Sequence, residues 1–226
     1  MVWPEVEQVA RNHRYELILS GDKLTKHFQQ RNELDSTIWT LSQLNFLEIS
    51  QCSLIEQLPE DISKLTHLST LTLTSNHLTS LPIQINLLVN IKHLNLAHNQ
   101  LKTIDNNLFT NLTHLETINF SNNLLEQFPS LSSTNQKLAI VNLSHNQLQS
   151  IPDFPTLENL SQVDLSANQF QSIPPSIVNL HSLKVFLIES NQIKEIDPTI
   201  SQLQKLKGFS FFFCFFFSSR FFFEFE

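Results

Sequence analysis

Residues 68–85 read Leu68-Ser69-Thr70-Leu71-Thr72-Leu73-Thr74-Ser75-Asn76-His77-Leu78-Thr79-Ser80-Leu81-Pro82-Ile83-Gln84-Ile85. Leu71 and Leu73 alternate with threonines, the period of a short strand that turns its leucines to one side and its hydroxyls to the other. Asn76 and Leu78 follow where the chain must leave that strand. Leu81-Pro82 then marks a return arm, because proline holds its own φ and disfavours helix at the residue before it. One strand, one polar turn and one return arm make a single coil, which cannot bury its leucines without a neighbour.

The same frame extends in both directions. Asn76, Asn99, Asn123, Asn146, Asn168 and Asn191 recur at steps of 23, 24, 23, 22 and 23 residues, and Cys52 occupies the same slot 24 residues before Asn76. The flanking apolar positions return with them, from Leu44/Leu47/Ile49/Leu54 to Leu183/Phe186/Ile188/Ile193. Seven consecutive copies in register are the leucine-rich-repeat pattern. The predicted fold class is therefore α/β. It is a curved leucine-rich-repeat solenoid with a parallel β-sheet on its concave face and 3₁₀ or irregular turns or short helices on its convex face. At ~4.8 Å per strand, seven coils give a sheet on the order of 30 Å long, the scale of a surface that holds a macromolecule.

The asparagine is demanded by the turn, where backbone N–H and C=O groups are buried and a side-chain amide can serve both. Cys52, Asn76, Asn99, Asn123, Asn146, Asn168 and Asn191 are accordingly read as one structural ladder, with the Cys52 thiol a small, burial-tolerant substitute. Leu58-Pro59, Leu81-Pro82, Phe128-Pro129, Ile151-Pro152 and Ile173-Pro174 mark return arms. Ile104-Asp105-Asn106-Asn107-Leu108 replaces the Leu-Pro step in the third repeat and predicts a slightly longer convex helix there.

Three segments result: an N-terminal cap over 1–43, seven repeats over 44–208, and a Phe-rich stretch over 209–226. In the cap, Pro4, Glu5 and Glu7 suit a helix start and Arg11 and Arg14 its end, with Val6, Val9 and Ala10 as the apolar stripe, so a helix is expected over 4–14. Leu17-Ile18-Leu19-x-x-Asp22-x-Leu24 repeats the coil spacing, so 15–43 is read as a degenerate first turn with Asp22 in the amide slot and a long return arm. Residues 209–226 are low in complexity and are expected to be disordered, or the product of misread non-coding sequence; their apolar run is about half of the ~20 residues a membrane span needs.

A formal charge of −7 and a pI near 5.7 provide no broad attraction for nucleic acid or anionic lipid. The Met1–Glu5 start lacks the basic and apolar regions of a secretory leader, and the two cysteines form no cluster, so the expected location is cytoplasmic, with no membrane partner. Sequons at Asn111, Asn119, Asn142 and Asn159 are read as products of the repeat. Two glycines exclude a phosphate-cradling loop, and no Ser-His-Asp, Cys-His or paired-carboxylate set is spaced for chemistry, so no catalytic residue, metal site or cofactor is expected.

The outward strand positions form the candidate partner surface. One column is Glu48, Thr72, Asn95, Asn119, Asn142, Asp164 and Leu187; beside it run Phe46, Thr70, His93, Thr117, Ile140, Gln162 and Val185; a third holds Ser50, Thr74, Ala97, Ser121, Ser144, Ser166 and Glu189. Ile140, Val185 and Leu187 stand out as an apolar anchor, or as a surface for packing the tail or a following repeat. His93, His98 and His145 stand out as hydrogen-bonding groups. His67 and His114 repeat one position and read as register.

The Trp3-Pro4-Glu5-Val6-Glu7 opening and Tyr15-Glu16-Leu17-Ile18-Leu19-Ser20-Gly21, followed by these repeats, resemble the N-terminal half of the leucine-rich-repeat-containing protein 47 family over about residues 3–208. Members of that family continue into a region like the B3/B4 domain of phenylalanine–tRNA ligase β subunits, which implies a link to RNA or translation; no residues here correspond to that region. Three readings follow: an intracellular scaffold binding a protein on the concave face, an RNA- or translation-associated module, or a truncated fragment without its own role.

Overall fold

The computed structural model describes residues 2–31, 33–211 and 221–222. Its single sheet runs β1 (Glu16–Ser20), β2 (Phe46–Ser50), β3 (Thr70–Thr72), β4 (His93–Asn95), β5 (Thr117–Asn119), β6 (Ile140–Asn142), β7 (Gln162–Asp164), β8 (Val185–Leu187), β9 (Gly208–Phe211) and β10 (Phe221–Phe222), in that spatial order. Neighbours from β1 to β9 pair in parallel, and β10 pairs antiparallel with β9. The register matches repeat to repeat, for example Leu71 with Leu94 and Leu94 with Ile118. One strand per coil therefore builds the solenoid that the repeat predicts.

The inward leucines form one continuous core. Leu71, Leu94, Ile118, Val141, Val163 and Phe186 are all buried, each stacked on its equivalent in the next coil. Apolar burial of this kind is the main stabilising term, and it is shared between neighbours, so no coil is stable alone. Return arms carry short 3₁₀ turns at Glu60–Lys64, Ile83–Leu87, Pro175–Asn179 and Pro198–Gln202. The longer convex helix expected around 104–108 is absent; residues 106–111 form turns instead. The Asp105 carboxylate accepts the Asn107 N–H at 2.8 Å, and the main-chain bonds from Leu108 to Asp105 and from Thr110 to Asn107 span three residues, the tighter turn that does not propagate as α-helix.

The cap contains two helices. The first, α1 (Pro4–Arg11), ends three residues earlier than expected. His13 takes a left-handed φ of 48°, and the Arg14 N–H reaches back to the Val9 carbonyl at 3.1 Å, which closes the last turn. Val6 and Val9 are buried and Ala10 is exposed, so the stripe is narrower than read. The second helix, α2 (Gly21–Arg31), corrects the reading of Asp22 as an amide substitute: Asp22 lies within this helix. Gly21, at φ +63°, lets β1 pass straight into α2 with no ladder turn between them. Leu24 and Phe28, one helical turn apart, bury its inner face.

Asp35 fastens α1 to the 3₁₀ turn at Ser36–Thr40 within the cap. It is buried, and its carboxylate accepts the Trp3 N–H at 2.6 Å and the Thr37 N–H and hydroxyl at 3.0 and 2.7 Å. At the other end β9 crosses the boundary drawn at residue 209. Phe209 is buried and its ring stacks on Phe186 with centroids 5.8 Å apart. The expectation of disorder over the rest of the Phe-rich stretch lies outside the described residues except at Phe221–Phe222.

Candidate functional site

The anchor residues lie in one buried row and act in the same way from coil to coil. The Asn99 amide donates to its own strand end at Leu96 O (3.0 Å) and to the preceding strand at Leu73 O (2.8 Å), while its oxygen accepts the Leu78 N–H at 3.0 Å. Asn123, Asn146, Asn168 and Asn191 repeat this set. Each amide thus ties two coils together through three backbone groups that burial would otherwise leave unsatisfied. Asn76 begins the row: it donates to Leu73 O and Ile49 O and accepts the Cys52 N–H at 3.0 Å. Buried Cys52 adds no side-chain hydrogen bond among the described residues.

The residue before each anchor carries a feature that sequence reading missed. Gln51, Ser75, His98, Asn122, His145, Ala167 and Ser190 all have left-handed backbone, with φ between 52° and 59°. None is glycine, so the conformation is imposed by the coil against the residue's own preference. His98 and His145 therefore sit in the turn beyond the strands, separated by the coil of Asn122. His93 is on β4, where its ring Nδ1 lies 2.9 Å from the Thr117 hydroxyl. The three histidines form no group, and among the described residues no cluster of His, Cys, Asp or Glu could hold a metal ion.

The central outward column has a structural role that also shapes its chemistry. The Asn95 side-chain oxygen accepts the Ala97 N–H at 3.2 Å, Asn119 and Asn142 accept those of Ser121 and Ser144 at 3.0 Å, and Asp164 accepts that of Ser166 at 2.9 Å. A backbone N–H can face only the oxygen of an amide, so this contact orients the group and turns the NH₂ away from the strand end. Among the described residues the NH₂ groups of Asn95, Asn119 and Asn142 have no acceptor. β4, β5 and β6 hold these residues in register, so the donors form a line at ~4.8 Å spacing. The signal was present as Asn/Asp followed two residues later by Ala or Ser, four times in succession.

The carboxylates of this surface are partly engaged. Glu48 accepts the Ser50 hydroxyl and Glu189 the Ser210 hydroxyl, both at 2.7 Å. Among the described residues Thr72 and Gln162 make no side-chain hydrogen bond, and both are half-buried. The apolar trio is divided: Gln162 on β7 stands between Ile140 and Val185, and Leu187 belongs to the other column, beside Asp164. Only Val185 and Leu187 share a strand. His67 and His114 each reach one coil back, to the Ser42 and Val89 carbonyls at 3.0 and 3.1 Å.

A leucine-rich-repeat family model matches residues 66–125 and 89–148, and a second, single-repeat model matches residues 159–180. Among solved structures, a TLR13 chain from a TLR13–ssRNA13 complex superposes with a TM-score of 0.66 at 24% identity, over 78% of this chain and 26% of that one. A leucine-rich-repeat protein of Leptospira interrogans, LIC12759, superposes with a TM-score of 0.50 at 20% identity, over 93% of this chain and 71% of that one. The chain thus spans about a quarter of the TLR13 chain it matches. Likenesses at these identities establish the fold alone. No curated protein matches the chain.

Proposed function

We propose, from the premise that this chain is a leucine-rich-repeat protein, that it is a scaffold whose concave sheet holds a polypeptide partner. The observation that carries this reading is the line of oriented, unoccupied amide donors on Asn95, Asn119 and Asn142, set among the hydroxyls of Thr70, Thr72 and Thr117. An unsatisfied donor that is desolvated in a complex is costly, so a partner gains by presenting acceptors along that line. Val185 and Leu187 add an apolar contact at one end, and Glu48 and Asp164 bracket the donors with negative charge.

Arginine at Thr72 and at Gln162 tests this reading without disturbing the strand-end contacts, because neither side chain makes one. Affinity capture from cells with Thr72→Arg/Gln162→Arg should lose the proteins retained by the unaltered chain, while circular dichroism stays the same. Undiminished capture of the same proteins would contradict it.

The RNA-associated reading rests on the resemblance to the protein 47 family and on a fold shared with a chain solved with ssRNA. The −7 charge and the carboxylates at Glu48, Asp164 and Glu189 oppose it, since phosphate contacts require a basic face. Filter binding of single-stranded RNA at low salt separates the two: affinity that falls steeply with added salt would favour RNA.

A further inference from the structure

A second surface lies away from the strands. Between α2, the segment that follows it and the first return arm, an open cleft of about 660 Å³ is lined by eleven residues, none of them in a strand. Its floor is apolar, made by Phe28, Trp39 and Leu58, all buried, with Leu54 at its side. Leu54 is 39% exposed, one of few large apolar side chains so placed. The rim carries Glu33, Glu56 and Asp61. Asp61 pairs with Lys64 at 2.9 Å, whereas among the described residues Glu33 and Glu56 have no ion-pair partner.

We infer that this cleft is a docking site for a linear segment of another protein in which an apolar side chain is flanked by lysine or arginine. The apolar floor sets the anchor, because an aromatic or aliphatic group seated on it covers the exposed Leu54 and removes that surface from water. The unpaired carboxylates set the flanks: they repel acidic and favour basic segments, and the attraction is screened by salt. The cleft shares no residue with the concave columns, so it can be filled while the sheet holds its own partner.

The test is fluorescence anisotropy of the full chain with a fluorescein-labelled peptide carrying Leu-Phe between two pairs of lysines. Saturable binding is expected, weakened at least tenfold by Glu33→Lys/Glu56→Lys and by Leu54→Ser, and unchanged by Thr72→Arg/Gln162→Arg. All three cleft positions are exposed, so their replacement leaves the core intact. The inference is overturned by absence of saturable binding, by undiminished binding to either cleft variant, or by equal binding of a peptide with Ser-Ser in place of Leu-Phe. It is also overturned if sedimentation shows self-association that Leu54→Ser abolishes, since a second copy would then fill the cleft.

Discussion

The coils from Asn76 to Asn191 and the coil that begins with Cys52 have the same leucine frame and solve the same turn differently. In the first group each amide gives two hydrogen bonds and takes one, and two of these three serve the coil before it. Cys52 has no such coil to serve, because β1 runs directly into α2 at Gly21 and leaves no matching turn. The anchor residue is thus selected by its predecessor as much as by its own turn. A thiol suffices at the edge of the row and would fail within it.

Replacing Asn123 with alanine breaks the comparison most severely. Leu101 N–H and the Leu96 and Phe120 carbonyls lose their partner in a buried site, which costs about 3 kcal/mol or more. Cys52→Ala removes packing alone and costs about 1 kcal/mol. Urea unfolding of both variants measures the gap, and equal losses would refute the asymmetry.

Asp35→Ala comes next. It orphans the Trp3 N–H and a 3₁₀-turn cap at once, for a loss of about 2–3 kcal/mol. Because the contact joins α1 to the 3₁₀ turn at Ser36–Thr40, amide exchange should accelerate most in residues 3–20.

Smaller effects sharpen the account of the turn. Ala167→Gly relieves a left-handed alanine that costs about 1 kcal/mol, partly offset by the freer unfolded chain, for a net gain of about 0.3 kcal/mol. Ala97→Gly, at an anchor-proximal alanine with ordinary φ, should instead lower stability. Thermal melts of the pair should shift in opposite directions.

The smallest effect is a matter of pH. The Thr199 N–H, and then its hydroxyl, hold the exposed Asp197 carboxyl below its ordinary range. A depressed carboxyl contributes stability above its unfolded value, and that contribution is lost as pH falls through the folded value. Proton resonances of Thr199 should therefore move in acid below the range of a free aspartate, and Asp197→Ala should abolish that transition.

Much of this architecture was legible because period and chemistry agreed. Leu71-x-Leu73 and a polar residue three positions on identify a strand and its turn, and repetition identifies the stack. Three features were hidden. The segment 17–24 keeps the leucine spacing but contains Gly21, and one left-handed glycine converts the expected turn into a helix. The left-handed column uses Gln, Ser, His, Asn and Ala, so the usual glycine signal is missing. Asn95, Asn119 and Asn142 are legible as outward residues of the candidate partner surface, but the backbone N–H each one caps is invisible in a list of side chains.

Side-chain amide hydrogen exchange, followed by ¹⁵N NMR, tests the central claim most directly because the protein contains its own control. The NH₂ groups of Asn99, Asn123, Asn146 and Asn168 should exchange only through opening of the coils, orders of magnitude more slowly than those of Asn95, Asn119 and Asn142, which are oriented outward and lack acceptors. Similar rates for the two sets would mean that the buried amides do not hold successive coils together.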